Sequence, residues 1–95
     1  MDKSQRERLV GYLYDGLDDL YDERFGSRQQ SADLWLARLL FAASIAYEGD
    51  PLEQKLLNAA NAIRGTLRPG VSASERLDAA LAATDQLRVD IEPEE

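Results

Sequence analysis

The sequence contains no cysteine and no histidine. The first absence excludes disulfides and thiolate zinc sites. The second removes the commonest metal ligand and the side chain best suited to proton transfer near neutral pH. No glycine-rich phosphate loop is present, no stretch alternates with period two as a strand would, and no internal repeat is visible. The longest apolar-rich stretch, Leu34 to Tyr47, is interrupted by Arg38 and Ser44 and is too short to cross a bilayer. The opening run Met1-Asp2-Lys3-Ser4-Gln5-Arg6-Glu7 is charged and lacks the apolar segment of a signal peptide, so the expected compartment is cytoplasmic. Basic charge is in the minority, with 11 Lys and Arg against 18 Asp and Glu and a net charge of −7. Such a field repels nucleic acid and anionic membranes and attracts basic partners.

What is present is helical periodicity. Ninety-five residues with 44% apolar content suffice for one domain, 1–95, with a single modest core. Ser4 to Glu7 has the form of a capping box. From there Leu9, Val10, Leu13, Tyr14, Leu17, Leu20, Tyr21 and Phe25 recur at spacings of three and four, which predicts a helix over 5–25 closed by a left-handed Gly26. Ser27-Arg28-Gln29-Gln30 reads as a polar connector and Ser31 as the next N-cap. The second helix, 32–48, carries apolar residues nearly all the way round and is expected to be buried all round or to face another subunit. Gly49-Asp50-Pro51-Leu52-Glu53 ends it and starts a third helix over 51–64. Pro69-Gly70 marks a turn, and Ser72-Ala73-Ser74-Glu75 caps a fourth helix over 73–88, followed by an acidic tail expected to fray over 89–95 unless Val89 and Ile91 pin its first part. Four helices with short connectors predict an all-α, small antiparallel four-helix bundle.

The loudest chemical signal is acidic. Asp18-Asp19-Leu20-Tyr21-Asp22 matches, letter for letter, the DDxxD magnesium-diphosphate motif of prenyl and terpene synthases. Those enzymes are several times longer and need a second metal-binding helix, whereas this sequence has no second acidic cluster to complete such a site. Helical geometry sets Asp15, Asp18, Asp19 and Asp22 on an arc opposite the Leu13-Leu17-Leu20 face, with Glu23 beside them. Four carboxylates at these spacings repel one another, and in the C-terminal half of the helix they also oppose its dipole. The cluster therefore costs stability, which favours a recognition face; plain solubilising charge is the simpler alternative. Trp35 and Phe41 are expected in the core, with a homodimer seam through helix two as the alternative, and Tyr12 on the far side of helix one hints at the same seam.

Catalysis has little to build with. Ser27, Ser31 and Ser72 sit at loops and caps with no histidine to activate them, and carboxylates on an exposed face keep ordinary proton affinities. A ferritin-like di-iron site lacks its histidines, and none of the four helices is basic enough for a DNA-reading helix. Neither an enzyme nor a cofactor is expected, nor any direct nucleic-acid or membrane binding. The size, helicity and acidity are similar to those of small immunity proteins and phage-encoded inhibitors, and the Ala, Leu, Arg and Asp usage suggests a GC-rich bacterial or phage genome. The function expected is an acidic antagonist of a basic-surfaced nucleic-acid enzyme, of the toxin-immunity or anti-defence type. The alternative is a homodimeric helical adaptor or regulator assembled through helix two.

Overall fold

In the computed structural model, residues 3–26 and 31–92 are described. They form four helices: α1 (Lys3–Phe25), α2 (Ala32–Ala46), α3 (Leu52–Arg64) and α4 (Ala73–Ile91). The fold is all-α, with no strand among the described residues, and spans 38 × 24 × 17 Å. α2 packs chiefly on α3 and α1 chiefly on α4, while α3 meets α4 and α1 meets α2. Bonds distant in sequence tie α1 to α4: Arg24 Nε donates to Asp78 Oδ1 at 2.9 Å, and Tyr14 Oη donates to Glu92 Oε1 at 2.8 Å.

The core is a leucine-rich interior to which every helix contributes. Leu13 and Leu20 come from α1, Leu36 and Leu40 from α2, Leu56 and Ile63 from α3, and Leu77, Leu87 and Ile91 from α4. Each fully buried Leu or Ile contributes about 1.5–3 kcal/mol relative to an exposed one, so the hydrophobic term dominates here. The helical spacing of these residues is what turns one face of each helix inward.

Several boundaries follow from local chemistry as expected. Asp50 Oδ1 accepts from the Leu52 N–H at 2.9 Å, capping α3. Ser72 Oγ accepts from the Glu75 N–H at 3.2 Å, capping α4. Gly49 takes a left-handed φ of 85° after α2. Gly70, at φ 92°, occupies the position of the Pro69-Gly70 turn that no side chain tolerates well.

Other boundaries differ from expectation. α1 already includes Lys3, so Ser4 lies inside the helix and not at its cap. Gly26 is not left-handed; its N–H donates to the Asp22 carbonyl at 2.9 Å, prolonging the helical pattern by one bond. Ser31 makes no side-chain cap bond and adopts a left-handed φ of 51°. The α2 N-terminus is satisfied instead by Glu23, whose Oε1 accepts from the Ala32 N–H at 2.8 Å. α2 ends at Ala46, two residues before 48, and α4 runs to Ile91, beyond 88, because the Ile91 side chain is only 2% exposed and extends the core by a turn. The expected connector 27–30 and the tail residues 93–95 lie outside the described residues. Among the described residues, no helix is long and apolar enough to cross a membrane.

α2 is not buried all round. Leu36, Ala37, Leu40 and Ser44 face the interior, whereas Leu34, Ala42, Ile45 and Ala46 are exposed, Ile45 by 75%.

Candidate functional site

The outward side of α1 follows directly from its amphipathic spacing. Because Leu9, Leu13, Gly16, Leu17 and Leu20 turn inward, Asp15, Asp18 and Asp22 are left exposed and Asp19 half-buried at the edge. None of these four carboxylates has an ion-pair partner among the described residues. Three of the four acids of α4 and its C-cap Glu92 differ, Glu75 being the one without an ion pair among the described residues. Asp78 pairs with Arg24, Asp85 and Glu92 both pair with Arg88, and Asp90 lies 3.9 Å from Lys55. The α1 carboxylates are thus a patch of uncompensated charge, not part of the surface ion-pair lattice.

Glu23, expected on the same face, also makes a structural contact. Its carboxylate is turned to the start of α2, where it accepts the Ala32 N–H at the positive end of the helix dipole. Glu23 is therefore occupied structurally.

Beside the acids stand exposed aromatic rings. Tyr21 and Phe25, 55% and 67% exposed, stack with ring centroids 5.7 Å apart, and the Arg24 guanidinium lies 4.8 Å above the Phe25 ring. Tyr14 adds a third ring, held by Arg88, whose Nη1 donates to the Tyr14 hydroxyl at 3.2 Å. Asp85 and Tyr14 around Arg88 hold its guanidinium even more firmly protonated than usual. Sequence periodicity located these rings on helix one without separating them from the core face; the pairing of α1 with α4 decides that they stay outside.

The aromatic residues suspected of forming a seam divide. Trp35 and Phe41 are half-buried and pack against the core cluster. Tyr12 is 45% exposed and lines a shallow apolar groove between α1 and α2 with Leu9, Leu39, Ala43 and Tyr47.

Among the described residues no three Asp or Glu side chains converge closely enough to hold a metal ion. The four α1 carboxylates project outward from one helix and lack an opposing ligand, so their chemistry is long-range attraction and hydrogen-bond acceptance. They form a face that can receive Lys and Arg side chains, flanked by rings that can stack on guanidinium groups. Comparisons with protein-family models, with curated proteins and with solved structures find no match to this chain.

Proposed function

We propose that this chain is a non-enzymatic protein-binding domain, and that it acts as an acidic antagonist of a nucleic-acid enzyme with a basic surface, in the manner of toxin-immunity or phage anti-defence proteins. The observation that carries this reading is the contrast between the uncompensated α1 acids, Asp15, Asp18, Asp19 and Asp22, and the paired acids of α4. Like charges at i, i+3, i+4 and i+7 lower helix stability. A partner's cations would relieve that repulsion, so part of the association energy is stored in the free protein. Electrostatic complementarity of this kind accelerates encounter and selects partners more than it tightens the final complex. In this reading the chain works in the cytoplasm as an antiparallel four-helix bundle.

The test is capture from the native host on immobilised protein, beside a variant with Asp15, Asp18, Asp19 and Asp22 all changed to Asn. The expected result is one nucleic-acid enzyme, released by salt and absent from the variant, whose own melting temperature is unchanged or higher. Equal capture by both proteins overturns the reading.

The second reading is a homodimeric helical adaptor assembled through helix two. It is favoured by the exposed apolar side of α2, where Leu34, Ala42, Ile45 and Ala46 face solvent next to half-buried Trp35 and Phe41. Sedimentation of the parent and of Trp35→Lys distinguishes it: a dimer that becomes a folded monomer supports this seam.

A further inference from the structure

Although the chain is strongly acidic, four of its 11 basic residues gather in one region. Arg38 and Arg64 border a hollow between α2 and α3 floored by Leu34, Phe41 and Leu67. Arg68 and Arg76 border a second hollow that shares Leu34 and Leu67 with the first. The Arg64 guanidinium lies 5.8 Å above the Phe41 ring. Arg76 is held from beneath by the fully buried Asp33, with Nη1 3.4 Å from Oδ2. Arg38, Arg64 and Arg68 are exposed and have no ion-pair partner among the described residues, whereas Arg24, Lys55 and Arg88 each meet an acid.

We propose that this arginine-rimmed apolar surface docks the acidic, aromatic face of α1 from a second copy of the chain, head to tail. Charge complementarity selects the occupant. The unpaired arginines call for carboxylates accompanied by apolar groups, and α1 presents that combination in Asp18 and Asp22 beside Tyr21 and Phe25. The two surfaces do not neutralise each other within one molecule. α1 makes no contact with α3 among the described residues, and none of Asp15, Asp18, Asp19 and Asp22 pairs with Arg38, Arg64, Arg68 or Arg76. Between molecules they can meet. The net charge of −7 opposes approach at long range, but physiological salt screens that repulsion beyond about 8 Å while leaving close pairs less affected.

The contact joins two different surfaces, so each added copy leaves one of each kind free. Association therefore grows into chains, or closes as a ring if the rotation allows. It needs no outside partner, so its failure leaves the antagonist reading standing, and the reverse holds as well. A copy docked in this way also covers the α1 acids, which would limit an outside partner's access at high concentration.

The test is sedimentation velocity on the full chain across concentration, at low salt and at about 0.5 M salt. The parent should associate beyond a dimer at low salt and dissociate at high salt. Arg64→Gln/Arg68→Gln and Asp18→Asn/Asp22→Asn should each be monomeric, with the parent's helical circular dichroism confirming that they fold. Mixing the two variants should give a dimer that grows no further, because one supplies an intact α1 face and the other an intact arginine surface. The dimer should weaken at least about tenfold between the two salt conditions, as charge-steered contacts do. A monomeric parent at low salt overturns the proposal. So does association that survives in both variants and in high salt, which assigns it to an apolar α2 seam, and so does preferential binding of a single-stranded oligonucleotide by the arginine surface.

Discussion

Gly16 of α1 lies directly against Leu36 of α2: a methyl group built on Gly16 would stand 2.6 Å from Leu36 Cδ2. The close atoms all belong to the Leu36 side chain, which is fully buried and would have to shift within the core. Gly11, one and a half turns earlier in the same helix, has nothing within 4 Å of its hypothetical methyl.

The two glycines should therefore respond oppositely to alanine. Gly11→Ala should raise stability by about 0.5–1 kcal/mol, because it removes backbone freedom from the unfolded chain and meets no obstacle. Gly16→Ala gains the same propensity but overpacks the crossing at a cost of about 1–3 kcal/mol, leaving a net loss. Urea unfolding of both variants measures this. Equal stabilisation of the two would show that the helices cross less closely.

The Asp33–Arg76 pair should be asymmetric. Asp33 is fully buried, with Oδ1 bonded to the Leu34 N–H, whereas the Arg76 side chain keeps 30% of its exposure. Arg76→Ala strands a carboxylate in the interior and should cost about 3 kcal/mol. Asp33→Ala leaves a guanidinium that can turn to water and should cost less. The double variant should be no less stable than Arg76→Ala alone, and simple additivity in this cycle would mean that the pair is not coupled.

Thr84 is also fully buried, and its hydroxyl has no hydrogen-bond partner among the described residues. Thr84→Val removes the unsatisfied group while keeping the β-branched shape, so thermal and urea unfolding should show a gain on the order of 1 kcal/mol. A loss of stability would reveal a bond made by that hydroxyl.

Acid should weaken the α3 cap. The Leu52 N–H bonded to Asp50 holds its carboxyl below the usual carboxylate range. A lowered folded-state value means that its contribution is present above the ordinary carboxylate value of about 4 and is lost as pH falls through the folded value. Asn keeps the accepting oxygen without titrating. Asp50→Asn should accordingly show a shallower fall in urea midpoint below pH 4 than the parent, and parallel curves would exclude Asp50 from the acid transition.

The residues that sequence reading placed well are those whose chemistry is local. Asp50 and Ser72 cap helices two or three residues away, and Pro69-Gly70 makes its turn within four residues, so spacing alone reveals them. Ser31 misled because its position is that of a cap, while the group that satisfies α2, Glu23, lies nine residues back on another helix. The acidic arc is legible from helical rotation, whereas the bond from Glu23 to the start of α2 is not. Gly16 and the arginine cluster were not legible, since one depends on a helix crossing and the other gathers residues from α2, α3, α4 and a loop. Ile91 is part of the core, as its apolar side chain beside Val89 in an otherwise acidic tail allowed, while Val89 stays exposed.

The pairing of the first helix with the last has a consequence for the order of folding. α2 and α3 are neighbours in sequence and share the most extensive interface, so they can associate at small loop-closure entropy. The bonds from Arg24 to Asp78 and from Tyr14 to Glu92 bridge 54 and 78 residues. They can form only after most of the chain has been gathered. Destabilising the α2–α3 interface should thus slow refolding, whereas cutting the Arg24 and Tyr14 links should chiefly hasten unfolding. The clasp between α1 and α4 would then govern how long a folded molecule lasts, and the α2–α3 pair how quickly one is made.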